Sequence, residues 1–226
     1  ATGFTIKNFT APTDFKQQRI TITNAPVEMT VATPADPDGD GTPQYAPSAF
    51  TVTTAASTPM GDVIIRGGEF RQTTGMTTRV GPLVWVAPGA SGGIRSVTLD
   101  DFKIAAPDMT RDSTQDQYWY PIYWQNKKYD YDGDGTTDRP TLSIRNLDVK
   151  INLKKSASGV TAIRGAIGMI DGDANLDYRN VSVDIASNTT NDISGLYIVP
   201  GSAAEVSGAV RGYRYRGVDA TASVNR

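Results

Sequence analysis

Hydrophobic and polar residues along this chain alternate in short runs, with no sustained recurrence every three or four positions. The two clearest runs are Leu142-Ser-Ile-Arg-Asn146-Leu-Asp-Val-Lys-Ile151 and Leu176-Asp-Tyr-Arg-Asn180-Val-Ser-Val-Asp-Ile185, which lie 34 residues apart. Both read apolar, x, apolar, x, Asn, apolar, x, apolar, x, apolar. Alternation sends every second side chain to one face of a β-strand. At the Asn the parity slips by one, which in a straight strand turns the second apolar set outward. A bend repairs this. Asn tolerates the left-handed backbone region and re-aims the second run at the same core.

The template fits earlier segments: Ile20, Ile22, Asn24, Ala25, Val27, Met29 and Val31; then Val63, Ile65, Gly67, Gly68 and Phe70; then Val97, Leu99, Asp101, Phe102 and Ile104. The predicted hinges are Asn24, Gly67, Asp101, Asn146 and Asn180, all residue types that accept positive φ. Gly68 competes with Gly67 for the second hinge. The spacings are 43, 34, 45 and 34 residues. A sixth copy around Val206–Val210 fits poorly. A second strand series falls between the copies. Leu83–Gly89 resembles Gly195–Gly201, and Phe50–Val52, Ile122–Trp124 and Ala162–Ile163 occupy the equivalent gaps.

One period cannot bury its own apolar face, but stacked copies share a continuous core. The predicted fold is an all-β, right-handed parallel β-helix of five or six coils, each of roughly 34 residues. Residues 1–226 form a single domain, with 1–19 as a lead-in or cap, 20–210 as coils and 211–226 as a terminal cap or tail. The alternative is an antiparallel β-sandwich or jelly roll, also rich in short strands, which needs no repeated hinge.

Composition sharpens this picture. Hydrophobic content is 38%, with 22 glycines and 13 prolines, a balance of strands and turns. The net charge of −2 gives no global attraction to nucleic acid or membrane. No apolar run approaches the length of a membrane span. No signal peptide is visible at the start, and Ala1-Thr2-Gly3 is what removal of an initiator Met leaves; a processed or trimmed chain looks the same. There is no Cys and no His. Disulfides, thiolate or imidazole metal sites and Ser-His-Asp triads are therefore excluded. A metal site would need oxygen ligands, which points to calcium.

The apolar-x-apolar-x-Asn pattern over roughly residues 20 to 210 resembles the pectate-lyase-like right-handed β-helix superfamily. Within it, the chain looks most like β-helical tailspike and surface proteins of bacteriophages. The resemblance implies a virion protein, assembled in host cytoplasm, where Cys-free chains without export signals are expected. It also implies a homotrimer. Tailspikes carry particle-binding and trimerisation modules for which this chain has little room, so a capsid decoration protein or spike fits better. The superfamily also includes enzymes, so the fold alone fixes no function.

Two acidic segments share Asp-x-Asp-Gly-Asp-Gly. One holds Asp36, Asp38, Asp40 and Thr42; the other holds Asp130, Asp132, Asp134, Thr136 and Asp138. Asp at positions 1, 3 and 5 with Gly at 6 is how an EF-hand loop wraps calcium. Position 12, a bidentate Glu in that loop, is Pro47 in one segment and Thr141 in the other. The second segment has Asp138 at position 9, where the first has Gln44, so it is the better candidate. The competing reading is a pair of polar turns that lengthen two periods and bind nothing tightly.

Aromatic residues concentrate at Tyr118, Trp119, Tyr120, Tyr123 and Trp124, followed by Tyr129 and Tyr131. They suit a platform for a bacterial surface glycan or, preferably, a patch covered by a neighbouring subunit. Arg211, Arg214 and Arg216 form a short basic run, read as a solvated strand face or a contact for an acidic partner. Asp100, Asp148, Asp177, Asp184 and Arg145 are candidate catalytic groups. Asp148 and Asp184, at similar outward positions, would stack about 4.8 Å apart on neighbouring coils, near the spacing of a retaining glycosidase pair. Lys150 and Arg145 share that face, and mixed charge is also what protects a β surface.

The leading expectation is a non-enzymatic virion structural protein that contacts other virion proteins such as the major capsid protein. Its rivals are a tailspike domain that binds or cleaves bacterial polysaccharide and a secreted bacterial adhesin.

Overall fold

The computed structural model describes residues 4–8, 19–23, 27–29, 50–55, 57–72, 84–111, 117–118, 122–155, 161–187, 191–198, 205–211, 214–217 and 220–223. Among these there is no helix; the chain forms strands and turns.

Two parallel sheets are built. Sheet one contains β1 (Phe4–Asn8), β4 (Phe50–Thr54), β6 (Val84–Ala87), β9 (Ile122–Trp124), β11 (Thr161–Ile170), β13 (Asn191–Ile198) and β16 (Ala220–Ser223), in that order, with β8 (Gln117–Tyr118) also on β11. Sheet two runs β2 (Arg19–Thr23), β5 (Pro59–Gln72), β7 (Gly93–Arg111), β10 (Thr141–Lys155), β12 (Ala174–Ser187) and β14 (Val206–Arg211). In addition β3 (Val27–Met29) pairs with β5, and β15 (Arg214–Gly217) with β12. From β4 onward the chain alternates between the sheets, with β8 and β9 both on sheet one and β14 and β15 both on sheet two. Each strand in a sheet lies beside the strand one period away, and every named strand pair is parallel. The antiparallel sandwich or jelly roll is therefore not what these strands form.

The parity slip appears where the sequence requires it. Gly67, Asp101, Asn146 and Asn180 have φ of 66°, 56°, 52° and 53°. Asn24 lies outside the described residues. The bend lets both halves of each long strand face inward. In β7, Val97 and Leu99 are buried before the hinge and Phe102 and Ile104 after it. A left-handed residue other than Gly costs roughly 1–2 kcal/mol, which burial of two apolar side chains beyond it more than offsets at about 1.5–3 kcal/mol each. The hinge neighbours also tie to one another. Asn180 Nδ2 donates to Asn146 Oδ1 (2.9 Å), and Asn146 Nδ2 donates to Asp100 Oδ1 (3.1 Å).

In-register stacking builds the core. Val63, Val97, Leu142 and Leu176 form one buried column; Ile65, Leu99, Ile144 and Tyr178 form the next. Sheet one contributes Phe50, Val84 and Ile122, and then Val52, Val86, Trp124 and Ile170. Here the sequence-based assignment needs a shift. The residues opposite Tyr123 and Trp124 are Met169 and Ile170, while Ile163, further back along β11, lies opposite Gln117 of β8.

The sixth copy also belongs to the ladder. Both β14 and β15 pair with β12, so Val206–Arg211 and Arg214–Gly217 continue the ladder as two runs. Its poor sequence match has a cause. Gly208 faces Leu176 with φ of 141°, and a Cβ there would collide with the Leu176 carbonyl oxygen. The template's apolar residue cannot occupy that place.

Candidate functional site

Residues 129–138 form a closed excursion between β9 and β10. Tyr129 and Asp138 exchange main-chain hydrogen bonds, Tyr129 N to Asp138 O at 3.1 Å and Asp138 N to Tyr129 O at 2.9 Å. Within it, Asp130 accepts from the amides of Gly133 (2.6 Å) and Gly135 (3.0 Å). Asp132 accepts from the Asp134 amide, and Asp134 accepts from both the amide (2.7 Å) and the hydroxyl of Thr136. Gly133 and Gly135 have φ of 77° and 87°. Around Gly135 there is open space, so the backbone conformation alone explains that glycine.

This folding brings one carboxylate oxygen each from Asp130, Asp132 and Asp134 within 4.8 Å of the others. Asp138 is not in that group; its main chain serves the bridge to Tyr129. The Thr136 hydroxyl and amide hold the Asp134 carboxyl below its ordinary value. Three converging carboxylates form a hard-oxygen donor set suited to calcium. The EF-hand likeness ends there. Thr141, at position 12, is part of the β10 ladder opposite Ser96 and Asn175. The first acidic segment, with Asp36, Asp38, Asp40 and Thr42, lies outside the described residues.

Tyr131 docks the loop. It is buried, its hydroxyl donates to the Lys127 carbonyl at 3.2 Å, and its ring lies 5.5 Å from that of Tyr129. Burial, then the nearby Asp138 charge, push its pKa up. Both rings rest on Gly93 of β7, where a Cβ would come within 2.6 Å of Tyr129 Cβ and 2.7 Å of the Tyr131 hydroxyl. These two tyrosines pack the loop against β7.

The outer faces of the two sheets differ in chemistry. On sheet two, Asp62 forms a bidentate pair with Arg95 (3.0 Å each), Arg66 meets Asp100 (3.1 Å), and Asp177 meets both Arg179 (2.8 Å) and Arg145 (3.4 Å). The Arg179 hydrogen bond is the first cause holding Asp177 below the ordinary carboxylate range. The candidate catalytic carboxylates do not stack: Asp148 sits opposite Ser182 and beside Lys150, while Asp184 sits opposite Lys150. Mixed charge of this kind guards a sheet surface and adds little stability.

On sheet one the outward column is Thr51, Trp85, Tyr123 and Met169. Trp85, at 38% exposure, is the exposed large hydrophobic residue among the described residues. Its ring lies nearly parallel to that of Tyr123 (10°), with centroids 6.4 Å apart. A hydrogen-bonded chain locks the pair. Trp85 Nε1 donates to Gln125 Oε1 (2.9 Å), Gln125 Nε2 donates to the Tyr123 hydroxyl (2.8 Å), and that hydroxyl donates to Asp171 Oδ2 (3.1 Å).

Of the aromatic residues expected to act together, Tyr123 is placed on this surface. Trp124 is completely buried, and its Nε1 donates to the Asp173 carbonyl at 2.8 Å, so its ring offers no face to a partner. Tyr118 lies on β8 opposite Arg164. Trp119 and Tyr120 lie outside the described residues. Trp85 was not singled out from the sequence as a site residue. The signal was present, because the Leu83–Gly89 strand occupies the same slot as Ile122–Trp124. No family model, curated protein or solved structure matches this chain.

Proposed function

We propose that this chain is a right-handed parallel β-helix serving as a non-enzymatic structural protein of a virus particle, a bacteriophage decoration protein or spike, which docks through the outer face of sheet one. The carrying observation is the contrast between the two outer faces. One presents Trp85 and Tyr123 among Thr51, Ala87 and Met169; the other presents alternating ion pairs. Aromatic enrichment with few charges is what protein interfaces favour at their centres. The polar atoms of Trp85, Gln125 and Asp171 already hydrogen-bond across the patch, which lowers the cost of burying it. In this reading the protein is a homotrimer, and calcium held by Asp130, Asp132 and Asp134 stiffens the long loop.

The resemblance of the hinge pattern to phage β-helices supports the virion setting. The test is light-scattering mass and particle retention, for wild type and Trp85→Lys. A trimer or particle-bound wild type, with the variant monomeric or released, supports the reading. A wild type that is monomeric, is not retained by particles and releases oligosaccharides from capsule or lipopolysaccharide overturns it in favour of a depolymerase.

A further inference from the structure

The aspartate loop stands on a polar corner that links four successive periods. Asn126, fully buried, accepts from the Ile94 amide (3.1 Å) and donates to the Ile94 carbonyl (2.5 Å). The Asp173 amide donates to the Asn126 carbonyl (2.9 Å), and the Glu205 amide donates to Asp173 Oδ1 (2.9 Å). Asp173 Oδ2 accepts from the Lys128 amide at 3.2 Å. The chain is thus tied from β7 to Glu205, the residue just before β14.

The Glu205 side chain closes this corner. Its Oε1 meets Lys128 Nζ at 2.6 Å and its Oε2 meets Arg139 Nη2 at 2.5 Å. Lys128 and Arg139 flank the loop on either side, so one carboxylate holds both ends. Arg139 also donates to the Ser207 hydroxyl (2.7 Å), and Ser207 donates to Asn175 Oδ1 (2.8 Å).

We propose that Glu205 is an acid-sensitive clasp that fastens β14 to the foot of the aspartate loop and lets that strand go when it is protonated. β14 ends the sheet-two order, with β12 as its neighbour among the described strands, so its pairing sits at one end of the described ladder, where local opening costs less than in the middle. The groups facing Glu205 are Lys128 and Arg139 from the loop, Asp173 from the turn before β12, and neutral Asn175 and Ser207. Both Asp173 oxygens accept main-chain amides, so a protonated Glu205 leaves two cations without their shared anion. Hydrogen bonds from Lys128 and then Arg139 hold Glu205 below its ordinary value of 4.5. A lowered carboxylate pKa stabilises fully above the ordinary value, and that stabilisation disappears as pH falls through the lowered one. The clasp is therefore closed at neutral pH, begins to loosen below about pH 4.5 and opens fully only as pH falls through the lowered value.

The inference is independent of any virion role and is tested by amide hydrogen exchange at residues 206–211, expressed as protection relative to the free-peptide rate. Wild type is expected to lose protection there by about threefold or more between pH 6 and about 2.5, the scale of a paired surface carboxylate. Glu205→Gln starts at that lower protection at pH 6 and changes little in acid. Residues 142–149 keep their protection in both proteins, which also shows that the variant is folded. Wild-type protection in Glu205→Gln at pH 6, no acid loss in wild type, or simultaneous loss at 142–149 each overturns the clasp.

Discussion

Tyr178 occupies the core column otherwise filled by Ile65, Leu99 and Ile144, and none of its atoms reaches solvent. Its hydroxyl has no hydrogen-bond partner among the described residues. Burial accordingly pushes its pKa up and keeps it protonated. A buried hydroxyl without a partner costs about 1–3 kcal/mol of lost hydration. Tyr178→Phe removes that cost and leaves the ring in place. Gly168 of the opposing sheet, where a Cβ would lie 3.7 Å from the hydroxyl oxygen, bounds the small space vacated. The expected outcome is a gain of about 1 kcal/mol, since slight loss of packing offsets part of the relief. Equilibrium chemical denaturation followed by tryptophan fluorescence reads this as a higher midpoint at unchanged slope. Tyr178→Leu is the control; it deletes ring volume and is expected to cost about 2–4 kcal/mol. A Phe variant that is destabilised by more than about 0.5 kcal/mol would refute the reasoning, because it would mean that the hydroxyl makes a favourable bond.

Three further outcomes are expected. Gly93→Ala forces Tyr129 and Tyr131 off β7 and should cost about 1–3 kcal/mol, with faster tryptic cleavage after Lys127 or Lys128; unchanged cleavage would contradict the docking. Asn146→Ala should destabilise more than Asn146→Gly by about 1 kcal/mol, because both lose the side-chain bonds but only Ala strains the left-handed backbone; equal midpoints in denaturant count against the hinge account. Calcium at tenfold its dissociation constant should stabilise by about 1.4 kcal/mol, and Asp132→Asn should abolish most of that gain. A melting temperature indifferent to millimolar calcium and to chelator sinks the loop site.

The hinges were legible because a parity slip between two apolar runs leaves few physical solutions, and Gly67, Asp101, Asn146 and Asn180 are the residue types that accept them. The aspartate loop was legible as a motif, but its docking was not, since nothing local in Gly93 announces two tyrosines 36 and 38 residues later. The aromatic run misled for a different reason. Its residues are adjacent in sequence, yet in a strand neighbours face opposite ways, so Tyr123 is on the surface and Trp124 is in the core. Period-two alternation of Ile122, Tyr123 and Trp124 held that answer. Trp85 joins Tyr123 through a register set by sheet pairing across 38 positions. Glu205 carries no local mark at all; its partners are 77 and 66 residues earlier.

The ladder in sheet two resumes the same register whether 34 or 45 residues separate successive hinges. Backbone pairing is thus blind to the length of the connection between rungs, and size can change there without renumbering the core. Such an architecture evolves by insertion: a lineage can acquire, lengthen or discard an excursion such as 129–138 while every buried column stays aligned. Relatives of this chain should therefore vary by indels at that junction far more than by substitutions beneath it, and the same junction is where a foreign peptide could be displayed with least disturbance to the scaffold.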